Sequence, residues 1–156
     1  MAKDNSAGIK TIAVNKKVRR YFEVMETIEA GISLTGSETK SLRAGQVSFK
    51  DGYVKFNNGE AFLVDVHIAP YEHATHIQHE PERTRKLLLH KKEIDRLMGK
   101  VEQKGLTVVP LKMYFKKGRI KVELALARGL KLFDQREELK QRAVKRDMDR
   151  EMARFK

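Results

Sequence analysis

The sequence predicts a mainly β domain, a small barrel with inserted helices, extended by a basic C-terminal tail. Three observations predict it. Two stretches of alternating apolar residues fold back on turn signals, Asn58-Gly59 in the first and Lys116-Lys117-Gly118 in the second. An amphipathic helical stripe lies between the hairpins. Beyond Gly129 the period of two disappears, and helix formers and cations take over.

The 156 residues suit one ordinary domain with an appendage, read as a lead-in over 1–12, a domain over 13–129 and a tail over 130–156. A chain of this size hides about 68–70% of its unfolded surface, enough to fold without a staple. Absence of cysteine excludes a disulfide scaffold and a Cys-ligated zinc.

In chain order, residues 1–12 read as a flexible basic lead-in. Asn15 is placed to cap a short helix over Lys16–Tyr21. Phe22 to Thr35 has β character, with Phe22, Val24 and Ile28 assigned to the core and Gly31 to a bulge or bend. Ser37 to Ala44 reads as a second short helix, with Ser37 as N-cap and Gly45 just past its end. In the first hairpin Phe62, Val64, Val66 and Ile68 fall on one face. Ile94, Leu97, Met98 and Val101 form the helical stripe of His90–Lys104, ended by Gly105. Ile120, Val122, Leu124 and Leu126 alternate in the second hairpin. At least five strands and one inserted helix suit a closed or nearly closed barrel, with the oligonucleotide-binding type as first choice.

Charge narrows the function. The formal net charge is +12 and the pI about 9.9, distributed as +4 over 1–50, zero over 51–100 and +8 over 101–156. Clustered cations at a pI above about 9 are the electrostatic footprint of a nucleic-acid binder. No apolar run approaches the roughly 18–20 residues of a membrane span, and the first ten residues lack a signal-peptide core, so a soluble cytoplasmic protein is expected.

Enzyme signals are weak, and no catalytic residue, metal or cofactor is predicted. His67, His73, His76 and His79 cluster, and the last three have helical spacing, but Pro70 and Pro81 bracket them and no HExxH pattern is present. A metal-dependent nuclease on His73, His76 and His79 is the minor alternative. Ser37-Glu38-Thr39-Lys40 matches S-x-x-K without its companion motifs.

The basic segments say more. Arg83, Arg85, Lys86, Lys91 and Lys92 lie in ten residues without an acid, and Lys104, Lys112, Lys116, Lys117, Arg119 and Lys121 come from a longer acid-free stretch between Gln103 and Val122. Arg83 and Arg85, if extended, point two forks the same way, suited to phosphate. Tyr53, Phe56, Tyr71 and Tyr114 are candidate stacking faces for unpaired bases. No RNP-like motif is present, so recognition of shape and backbone is expected. In the tail, Arg142, Arg146, Arg150 and Arg154 repeat every four residues. Like charges at that spacing weaken an isolated helix, so the tail is read as loose alone and helical on a polyanion. A solvated helix docked on the barrel is the alternative.

Four segments in order resemble the SsrA-binding protein (small protein B) family: Gly36–Gly45 (GSETKSLRAG), His67–Tyr71 (HIAPY), Pro81–Leu89 (PERTRKLLL) and Gly105–Leu111 (GLTVVPL). The resemblance runs from about Ile12 to the end. It implies an oligonucleotide-binding-type barrel, a non-enzymatic monomer, that binds the tRNA-like domain of transfer-messenger RNA. It also implies delivery of that RNA to stalled ribosomes for trans-translation, with the tail helical in the decoding centre and mRNA path of the small subunit. Carried over by motif position, the RNA-binding set is Asn15, Lys16, Glu29, Lys40, Arg43, His67, Arg83, Arg85, Lys86 and Leu88. The ribosome-binding tail set is Gly129, Lys131, Phe133, Asp134, Gln135, Arg136, Arg142, Lys145, Arg146 and Arg150. Leu130 and Gln135 stand where that family's pattern has lysines, and Phe133 where it has Tyr or His. The competing reading is a ribosomal or ribosome-assembly protein using a similar barrel on ribosomal RNA.

Overall fold

The computed structural model describes residues 8–71, 79–130 and Met148. Between residues 8 and 130 the described residues form nine strands and three helices: β1 (Ile9–Val14), α1 (Val18–Tyr21), β2 (Phe22–Ile32), α2 (Gly36–Arg43), β3 (Val47–Ser48), β4 (Tyr53–Asn57), β5 (Glu60–Val64), β6 (His67–Ile68), β7 (Arg85–Leu88), α3 (Lys91–Lys104), β8 (Thr107–Lys116) and β9 (Arg119–Gly129). Seven strands make one antiparallel sheet in the order β1-β8-β9-β2-β7-β5-β4, while β3 and β6 pair separately. The sheet curls until β4 packs back against β8, as a barrel requires, although no ladder between its edge strands closes it among the described residues. Its inner face carries the core, with Leu63, Leu87, Met113, Val122 and Leu124 all at 1% exposure or less.

The turn chemistry works as the sequence predicts. Asn58 and Gly59 have φ of 52° and 75°, and Lys117 and Gly118 have 51° and 76°, so both hairpins close on two residues with positive φ. That geometry matches the right-handed twist of the flanking strands. Lys116 belongs to β8 rather than to the turn. Helix α3 begins where Glu93 accepts the His90 N–H at 2.9 Å and ends at Gly105, whose φ is 63°. Its Ile94 and Leu97 enter the core. No helix of the described residues is long and apolar enough to cross a membrane.

Several local expectations are corrected. Ile9–Val14 is a strand paired with β8, so four residues of the expected lead-in belong to the sheet. Asn15 is not an N-cap: Lys17 precedes α1, and the Asn15 side chain accepts the Lys17 N–H at 3.3 Å while donating to the Pro110 carbonyl at 2.9 Å. Thr35, not Ser37, caps α2, in a reciprocal box with Glu38. The β2 bulge lies at Met25 rather than Gly31. Ile28 packs on the main core and Phe22 on a smaller buried cluster of Val18, Val109, Ala125 and Ala127, while Val24 turns outward at 39% exposure. On β5 the buried residues are Ala61 and Leu63, not Phe62 and Val64. Asp65, at φ 60°, then shifts the phase so that Val66 and Ile68 do turn inward.

Candidate nucleic-acid interface

Strand register sets out the outer face of the sheet in rows. Lys112 of β8 lies opposite Glu123 of β9, which lies opposite Glu29 of β2. The next row outward is Tyr114, Lys121, Gly31 and Leu88. Lys116 and Arg119 form a third. Alternation on β7 puts Lys86 beside Leu88 on this face and sends Arg85 and Leu87 inward. Glu29, Lys86 and Leu88 therefore share one surface.

Gly31 shows how tightly that surface is made. A Cβ there would stand 3.1 Å from the Leu88 Cβ, so the Leu88 side chain leans on the bare glycine backbone. Leu88 is 56% exposed, an apolar group braced at the surface and not buried by the fold. Beside it Glu29 accepts a hydrogen bond from the Tyr114 hydroxyl and faces Lys116 at 3.3 Å. The Tyr114 donation outweighs burial and, with Lys116 and Lys121, lowers the Glu29 pKa. Glu29 thus stays an ionised acceptor, able to take N–H or 2′-OH donors. Tyr114 itself is 4% exposed, which corrects its reading as a free stacking face.

Asn15 and Lys16 flank this face. They line an open groove of about 540 Å³ with Val14, Arg19, Leu111, Lys112 and Glu123. Asn15 is 9% exposed and holds the strand-to-helix turn, while Lys16 is exposed. On α2 the Lys40 ammonium lies 5.7 Å from the centre of the Tyr71 ring, and the Arg43 guanidinium lies 5.7 Å from that of Phe115. Lys86 pairs with Glu60 at 2.6 Å on the exposed surface. His67 stands on β6, its Nδ1 3.3 Å from Glu82, which also accepts from Lys50.

Arg83 and Arg85 point the same way, as alternation demands, but toward Glu38 and not outward. The reading of two forks aimed at phosphate is corrected by this geometry. Arg85 is wholly buried: Nε donates to Glu38 at 2.5 Å, Nη1 to the Val66 carbonyl at 2.9 Å and Nη2 to the Pro81 carbonyl at 3.0 Å. Arg83 gives Glu38 a second fork at 2.7 and 3.3 Å and reaches the Ser33 carbonyl at 3.1 Å. Burial alone would raise the Glu38 carboxyl. The Arg83 hydrogen bond, the Thr35 N–H and the Arg85 charge instead hold it at about 2.

Nearby, the Ile68 carbonyl can only accept, so His79 Nε2 donates to it at 2.8 Å, and its Nδ1 is hydrogen-bonded to the Ser37 hydroxyl at 2.8 Å. These contacts clamp α2 and β7 together, fixing Lys40 and Arg43 relative to Lys86 and Leu88. The sequence signal for Glu38 is the Thr35-x-x-Glu38 capping box, a pattern not used among the expectations above.

His73, His76 and the tail set from Lys131 onward lie outside the described residues. Among the described residues no cluster of His and acids is arranged to hold a metal.

Comparison with known proteins points to a single family. A family model described as "SmpB protein" matches residues 12–154. The SsrA-binding protein of Solidesulfovibrio magneticus is 62% identical over 148 residues, covering 95% of this chain and 96% of that one. That of Oleidesulfovibrio alaskensis is 57% identical over 154 residues, 99% of each chain. That of Microcystis aeruginosa is 56% identical over 147 residues, 94% of this chain and 96% of the relative. A solved structure described as "tmRNA-SmpB: a journey to the center of the bacterial ribosome" contains a chain similar at TM-score 0.65 and 54% identity, covering 77% of this chain and 85% of that one.

Proposed function

The chain belongs to the SmpB protein family, and from that premise we propose that it binds the tRNA-like domain of transfer-messenger RNA and delivers this RNA to stalled ribosomes. There trans-translation releases the ribosome and tags the nascent chain. The observation that carries the reading is the near full-length identity to SsrA-binding proteins, at 62% over 148 residues for the relative from Solidesulfovibrio magneticus.

The outer sheet face and its flanks supply the RNA contacts. Lys16, Lys40, Arg43 and Lys86 meet phosphate or base, Glu29 accepts from a base amino group or a 2′-OH, and Leu88 packs on an unpaired nucleotide. Asn15 holds the turn that presents Lys16. Arg83 and Arg85 act from beneath, by locking Glu38 and hence α2 to β7. His67 and its Glu82 partner border the surface. The domain of residues 13–129 does this work by binding and not by catalysis. The tail, through Gly129, Lys131, Phe133, Asp134, Gln135, Arg136, Arg142, Lys145, Arg146 and Arg150, engages the decoding centre and mRNA path. The protein works in the cytoplasm, where ribosomes are.

The test is affinity for a transcribed tRNA-like domain across a series of salt concentrations. Affinity should fall linearly on logarithmic axes, and replacing both Lys16 and Lys86 by alanine should reduce the slope by roughly 0.7–0.9 per lost contact. Salt-independent binding, or equal affinity for an unrelated duplex, would defeat the reading. Crosslinking in cells separates the alternative, because a ribosomal protein would recover ribosomal RNA without the free tRNA-like RNA.

A further inference from the structure

Where the chain leaves β9 it passes an open groove of about 590 Å³, set between α1 and the turn that leads into β4. Val18 and Val109 are its buried floor, and Tyr21, Tyr53 and Leu130 rim it at 37%, 39% and 44% exposure. Gly52 presses the turn against the barrel, since a Cβ there would come within 2.5 Å of Val66 and 2.8 Å of the Phe49 carbonyl. Pockets of roughly 300–1,000 Å³ accept a drug-sized ligand, so two large side chains fit here. Leu130 is tied to the groove's edge, its N–H donating to the Tyr21 carbonyl at 2.8 Å. The residues that follow it, Lys131-Leu132-Phe133-Asp134, lie outside the described residues, and in sequence they are an apolar pair between a cation and an anion. The groove lining carries the complementary charges, Lys17 and Asp51, and among the described residues neither forms an ion pair. Both departures from the SmpB pattern at this point, Leu130 for lysine and Phe133 for Tyr or His, make the segment more apolar.

We propose that Leu132 and Phe133 fold back into this groove when the protein is off the ribosome, docking the base of the tail on its own domain. Phe133 is three residues beyond Leu130, a span of at most roughly 10 Å, which keeps the groove within its reach. Lys131 and Asp134 then have Asp51 and Lys17 as counter-charges. A tethered segment is present at high effective concentration whatever the dilution, which favours it over a second copy. Asp51 repels phosphate, which disfavours RNA as the occupant. The same residues cannot fill the groove and engage the ribosome together, so docking scales the tail's affinity for the ribosome down to the undocked fraction. That consequence rests on the function proposed above; the docking itself does not.

The chain has no cysteine, so an introduced pair reports only on itself. Thr107 lines the groove. In the full chain carrying Thr107→Cys and Leu132→Cys, mild oxidation should close an intramolecular disulfide, because docking brings the two Cα atoms within the roughly 4.4–6.8 Å that such a bond requires. Adding Tyr53→Asp, which sets a charge on the rim, should slow closure at least about fivefold by depopulating the docked state. Equal rates with and without Tyr53→Asp would overturn the proposal, since the tether alone would then explain the bond. Absence of the bond would also overturn it, and disulfide-linked dimers would do so in favour of a second copy. A measurement that leaves the groove unaltered guards against misfolding of these variants. Leu132→Ser with Phe133→Ser should raise hydrogen exchange of the bonded Arg20, Tyr21 and Leu130 amides about tenfold in the full chain, and unchanged exchange would refute docking. Failure of ribosome rescue in a chain whose disulfide and exchange behave as expected would sink the function and leave the docking established, so the two failures are distinct.

Discussion

Glu38 is buried completely yet remains charged, because Arg83, Arg85 and the Thr35 N–H surround it with donors. Its folded pKa of about 2 lies below the roughly 4.3 of an unfolded glutamate, so its stabilising contribution is complete above about pH 5 and lost as pH falls toward 2. Urea unfolding at several pH values should show the wild type losing on the order of 3 kcal/mol across that window, at about 1.4 kcal/mol per unit. A Glu38→Gln variant should lack this component. At neutral pH the same variant should be less stable by roughly 3–5 kcal/mol, since it leaves buried Arg85 without its counter-charge. Parallel pH curves for the two proteins would mean that Glu38 does not hold the pair. Residue types at this site were legible in the sequence, but their direction was not. Alternation correctly put Arg83 and Arg85 on one side, yet only the three-dimensional position of Glu38, 45 and 47 residues away, decides that the side is the inner one.

Hairpins show which parts of the fold local chemistry dictates. Asn58-Gly59 and Lys117-Gly118 were both readable as turns, and both adopt the positive-φ pair that such turns need. Lys117 is the less suited of the first-position residues, because a left-handed φ of 51° crowds its Cβ against the following carbonyl. Asparagine tolerates that region better, so Lys117→Asn should stabilise the domain by on the order of 1 kcal/mol, or about 2–4 °C in Tm. Thermal melts followed by circular dichroism would check it, and an unchanged or lower Tm would show that the turn is not strained. Bulges were the elements that could not be read. Those at Met25 and Leu111, and the left-handed Asp65, each add one residue of phase to a strand. A period-two pattern counted straight through them assigns the wrong face, as happened for Val24, Phe62 and Val64.

Across the whole molecule, charge and core are separable by position. Among the described residues the buried apolar ones run from Val18 to Ala127, and beyond them Gly129 still pairs with Phe22 and the Leu130 N–H donates to the Tyr21 carbonyl at 2.8 Å. Residues 131–156 hold nine cations and six acids, so ending the chain after Leu130 leaves a net charge of +9. The cations of the outer face, Lys16, Lys86, Lys112, Arg119 and Lys121, all remain. The shortened protein should therefore melt within a few degrees of the full chain, bind the tRNA-like domain within a few-fold and keep most of its salt slope, which counts phosphate contacts and not total charge. Ribosome rescue in a reconstituted translation reaction stalled on an mRNA without a stop codon should be abolished. The two readouts report different parts of the chain. Collapse of the melting transition would place the tail in the core and move the domain boundary, whereas intact rescue would free the tail from the ribosome and return that role to the barrel.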